Sequence, residues 1–145
     1  MSRIIEQADL NTNIYPEIIT EITRGDNTIV DKAIDNAIEE TKSFLNRYDL
    51  NQLFGDGSTS PSFTSAMLQN IVKDVAVWWL VKLANPNINY EHAKVCYEDA
   101  IASLKMIQSG RMVPPGWPLM DYSNATTTPG DAIVYTSNPK RCTRF

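Results

Sequence analysis

The chain has little of what chemistry most often requires. Its 145 residues include two cysteines, Cys96 and Cys142, and a single histidine, His92. The cysteines lie far apart in segments of different character, so neither a disulfide framework nor a paired-cysteine metal motif is available, and a reducing, cytosolic setting is expected. His92 has Glu91, Glu98 and Asp99 nearby, yet no second histidine or cysteine completes a metal set. Cys96 falls on an apolar helical face and reads as a small core residue, not a thiolate. No acid/base or nucleophilic constellation stands out, so the expectation is a protein that is not an enzyme and takes no cofactor. Nor does any stretch approach the roughly 18 uninterrupted apolar residues of a membrane span. Residues 1–9 lack the apolar run and small-residue cleavage site of a signal peptide, and a chain neither exported nor membrane-bound is expected.

Positive charge is scarce in most of the chain. The net charge is -4. Residues 1–110 hold nine Lys/Arg against fifteen Asp/Glu, whereas residues 111–145 hold four against two. An acidic body argues against a domain whose main task is gripping nucleic acid, because such binding rests on Lys/Arg neutralising phosphates.

What is present is helical periodicity. Residues 64–85 form the longest apolar-rich segment and hold two of the three tryptophans. Met67, Leu68, Ile71, Val72, Val75, Trp78, Trp79 and Leu83 recur at helical spacing, with Gln69, Lys73, Asp74 and Lys82 off that face. This predicts a central helix over 64–84. Before it, Pro16 suits a helix start and Gly25 a stop, giving a short helix over 16–24. Asp26, Asn27 and Thr28 offer caps for a longer one over 28–48, with Val30, Ala33, Ile34, Ala37, Ile38, Thr41, Phe44, Leu45 and Tyr48 inward. A fourth helix over 90–109 turns Ala93, Cys96, Tyr97, Ala100, Ile101, Leu104 and Ile107 inward and ends at Gly110. Ile4, Ile5 and Ala8 outline an amphipathic turn at the start. Residues 51–63, with Gly55, Gly57 and Pro61, read as a breaker-rich loop. The expected fold is all-α, a small bundle of about four helices spanning 1–110.

From residue 111 the composition changes, with five of the eight prolines in the last 35 residues. The expectation there is an extended Pro-rich arm, 111–145, whose one strand-like stretch, residues 131–136 around Ile133-Val134-Tyr135, either folds back on itself or adds to a sheet in another chain. Trp78 and Trp79 diverge by about 100° on a helix, so either a wide buried stripe takes both or Trp79 anchors an interface. Asp31, Asp35 and Glu39 stand four apart on one helical face, either solvated or facing a basic patch on a neighbouring subunit. Candidate partner contacts are therefore Asp31, Asp35, Glu39, Trp79, Trp117, Ile133, Val134, Tyr135, Lys140, Arg141 and Arg144.

Four stretches carry a resemblance. They are Val30-Asp31-Lys32-Ala33-Ile34-Asp35-Asn36-Ala37-Ile38-Glu39-Glu40, Phe44-Leu45-Asn46-Arg47-Tyr48, Ile71-Val72-Lys73-Asp74-Val75-Ala76-Val77-Trp78-Trp79-Leu80, and Tyr97-Glu98-Asp99-Ala100 running on to Gly110. Their order over residues 15–112 resembles the small head–tail connector (head-completion or adaptor) proteins of tailed bacteriophages and prophages. The resemblance implies a helical, non-enzymatic virion protein assembled in the host cytoplasm and seated at the head–tail junction. It implies self-association into a ring, commonly a dodecamer, with the portal and a tail or stopper protein as partners and double-stranded DNA passing through as cargo. It brings no catalytic residues to carry over. Such proteins often stop soon after the last helix or carry a short arm, whereas this chain continues for 35 residues. The competing expectation is a non-enzymatic helical binding module, monomeric or dimeric, using Trp79 and the Pro-rich tail.

Overall fold

In the computed structural model, residues 3–84 and 90–121 are described; all structural statements below concern these. The chain is all-α, with α1 Pro16–Thr23, α2 Asn27–Phe44, α3 Leu50–Phe54, α4 Ala66–Ala84 and α5 Tyr90–Gln108, preceded by a 3-10 helix at Gln7–Thr12. Local chemistry sets the boundaries. Pro16 occupies the first turn of α1, where its missing N–H costs nothing. The Asp26 carboxylate accepts from the Thr28 N–H at 2.9 Å and caps α2. The Ser65 hydroxyl accepts from the Leu68 N–H at 3.3 Å and so caps α4. Gly110 has φ +76° after α5, a left-handed conformation that glycine adopts without a Cβ penalty.

Two departures from the sequence reading have clear causes. Helix α2 ends at Phe44 rather than near residue 48, because Leu45 leaves helical geometry and the chain turns inward to bury Leu45 and Tyr48. The stretch read as loop contains α3, since Asp49 accepts from both Asn51 N–H and Gln52 N–H while Leu53 and Phe54 are buried. Beyond it the turn is tight: a Cβ at Gly55 would collide with the Thr59 carbonyl oxygen.

The layers follow from the apolar stripes. α4 is the centre, packed on α2 along one side and on α5 along another. Its inward residues are Leu68, Ile71, Val72, Val75, Ala76, Leu80 and Val81, whereas Met67 and Leu83, expected inside, are largely exposed. Ala76 and Leu80 join the inward stripe by continuing the four-residue spacing of Leu68 and Val72. Ile4, Ile5 and Leu10 close one edge of the same core as Ile34 and Leu104. No helix among the described residues is long and apolar enough to cross a membrane.

Candidate functional site

Three places bring polar or exposed groups together. The first is a clamp between helices. Glu40 stands three residues after Ala37, at the rim of the buried face of α2, and reaches both neighbouring helices. Its Oε2 accepts from Trp79 Nε1 at 2.7 Å and its Oε1 accepts from the Tyr97 hydroxyl at 2.6 Å. Trp78 stacks on the Tyr97 ring at 5.4 Å between centroids, and the Lys82 ammonium lies 4.4 Å over the Trp79 ring. Burial first, then the bond to Glu40 and its charge, push the Tyr97 phenol up to about 12. Both tryptophans are half-buried, and the N–H of Trp79 is engaged inside its own chain. Apolar spacing alone does not reveal this link, because the acid that makes it is not part of the apolar stripe. A carboxylate one position off an acidic stripe, yet on the edge of an apolar one, was the available signal.

The second is the acidic stripe itself. Arg3 bridges Asp31 at 2.8 Å and Asp35 at 3.1 Å, so the basic partner of these two carboxylates comes from the same chain. Glu39 stays exposed. Arg3 lies 28 residues from Asp31, and no local spacing could have announced the pairing.

The third comprises two unlike surfaces on the body. One is a groove of about 590 Å³ that opens between residues 12–22, α4 and α5. Ile14, Ile18, Val77 and Val81 form its apolar walls, and Asp74, His92 and Cys96 line it too. Asp74 Oδ1 accepts from Asn13 Nδ2 at 2.7 Å. Burial raises the Asp74 carboxyl above its usual range and Asp99 adds to this, against the lowering effects of the Asn13 bond, His92 and Lys73. Cys96 is a partly exposed groove residue, where the sequence placed it in the core. Its sulfur lies 3.7 Å from His92 Nε2, but burial and the charges of Asp74 and Asp99 push the thiol up, which favours the neutral form over a nucleophilic thiolate. Among the described residues no group of three or more His, Cys, Asp or Glu is placed to hold a metal ion.

The other is formed by residues 111–121, which lie on the body. Trp117 is only 7% exposed; its indole N–H donates to the Ser65 hydroxyl at 3.2 Å and its ring meets Tyr48 edge-on at 5.4 Å. Its expected role at a partner surface is corrected: a large aromatic with a hydrogen-bond acceptor at hand gains most by filling its own core. The Asp49 N–H donates to the Pro118 carbonyl at 2.9 Å and the Met120 N–H to the Arg47 carbonyl at 3.1 Å, an isolated antiparallel bridge of Tyr48 with Leu119. The same anchoring leaves Val113 71% and Leu119 63% exposed. Ile133, Val134, Tyr135, Lys140, Arg141 and Arg144 lie outside the described residues.

A protein-family model described as Bacteriophage Mu, Gp36 matches residues 5–130. No curated protein matches the chain, and no solved structure does.

Proposed function

The chain belongs to the Bacteriophage Mu Gp36 family, and from that premise we propose that it is a structural virion protein, a head–tail connector subunit. In this reading copies form a ring between the portal and a tail or stopper protein, and double-stranded DNA passes through the ring. The observation that carries the proposal is the bacteriophage family match over residues 5–130, which contains the stretch, 15–112, that resembles head–tail connectors. Two features of the fold support it. The helical body is held by a continuous core from Ile4 to Trp117, as a wedge that bears load between neighbours must be. The last described residues are fixed to that body, because Trp117 and the Tyr48–Leu119 bridge pin residues 117–120.

From that point the remaining residues, 122–145, could reach at most about 80 Å if extended. They contain Ile133-Val134-Tyr135 and the cations Lys140, Arg141 and Arg144. We read this arm as crossing to a neighbouring copy or to the portal, where another chain's strand edge and acidic surface supply its partners. The test is light scattering of the full chain alone and with purified portal. A large, fixed increase in the bound copy number is expected on the portal. Binding of a single copy, or none, rejects the connector reading.

A further inference from the structure

We propose that residues 112–120 of one copy dock into the groove between residues 12–22, α4 and α5 of the next copy, an inference that rests on the connector reading. The two surfaces fit in shape. The groove is concave and apolar-walled, and Tyr15 stands 73% exposed at its lip. The segment is its converse, presenting Val113, Leu119 and Met120 outward from a backbone already fixed by Trp117 and by the bridge to Tyr48. A segment ordered beforehand loses little conformational freedom on docking.

They also fit in charge. Asp74 lies in the groove with its carboxyl raised by burial and by Asp99, which the Asn13 bond, His92 and Lys73 offset only in part, and no ion pair within 4 Å reaches it among the described residues. Exposed Arg111 directly precedes the segment, and the Arg47 guanidinium lies against Gly110 next to it. A cation delivered to Asp74 relieves the cost of its desolvation, and opposite signs on the two faces set the register of approach.

The contact must be between copies. No residue of 112–120 lines the groove of its own chain, and the pairing of Pro118 and Met120 with Asp49 and Arg47 holds the segment elsewhere on the body. Because the surfaces are different, the contact is heterologous, head to tail, and repeats until it closes into a ring or runs on as a filament. A two-fold dimer would instead need one self-complementary patch.

Cross-linking tests this on the full chain carrying Cys142→Ser and Val113→Cys, with native Cys96 in the groove, using a short bis-maleimide. The expected product, both on the portal and in concentrated free protein that associates, is a ladder of covalent multimers. Adding Cys96→Ala should remove the ladder. In the native background, Val113→Asp with Leu119→Asp should abolish multimer formation while the melting temperature moves by less than about 2 °C, since both side chains face solvent. Rings that close without the 96–113 cross-link, or that close with both aspartates present, overturn the docking and leave the connector reading intact. A chain that binds the portal singly rejects the connector reading; a ladder in the free protein then still supports the docking, and no ladder overturns it as well.

Discussion

Trp79 and Glu40 are joined by a 2.7 Å hydrogen bond that ties α4 to α2, and the second oxygen of the same carboxylate takes the Tyr97 hydroxyl of α5. One acidic side chain therefore fastens three helices. Glu40→Ala leaves a half-buried indole N–H and a phenol O–H without their acceptor, and a loss of about 1–3 kcal/mol is expected. Urea unfolding followed by tryptophan fluorescence measures it; an unchanged midpoint would show that water replaces the carboxylate at no cost.

The same clamp predicts a pH dependence. The Tyr97 phenol is pushed up from 10.0 to about 12. Because the folded state holds the proton more tightly, the contribution is whole below pH 10 and declines as pH rises from about 10 to about 12. Tyr97→Phe should remove this part of the alkaline decline. Identical stability profiles for wild type and Tyr97→Phe across that window would contradict the shift.

The helices were legible in the sequence because apolar spacing and capping residues are local signals: Pro16, Asp26 and Gly110 mark ends that the fold keeps. The long-range pairings were not. Arg3 with Asp31, Glu40 with Tyr97 and Trp117 with Ser65 join residues 28, 57 and 52 positions apart, and periodicity carries no information about which distant residue a polar group meets. Residues 111–121 were read by composition as part of an arm. Proline forbids a helix there, but it does not forbid packing, and Pro114 and Trp117 are buried.

The end of the body can be located by truncation. Removing residues 122–145 should leave a helical body of near-normal melting temperature, because Trp117 and its partners remain. Removing residues 113–145 deletes Trp117 from the core and should cost about 3–5 kcal/mol, as for a buried Trp→Ala change. Equal melting temperatures for the two truncations would show that Trp117 adds nothing to the fold.

Leu104 is fully buried between α5 and the core, so Leu104→Ala is expected to cost about 2–5 kcal/mol. Asp35→Lys, at a partly exposed ion pair with Arg3, should change monomer stability by no more than about 1 kcal/mol. Denaturant midpoints compare the two, and an unfolded Asp35→Lys variant would make the acidic stripe a structural element.

The connector reading stands or falls on where the chain sits in the particle. Cryo-electron microscopy of virions, with the helical body fitted as a rigid unit, measures this directly. The expected result is a closed ring of copies around the DNA channel between the portal and the tail. Copies absent from the particle, or placed anywhere other than that junction, would contradict it.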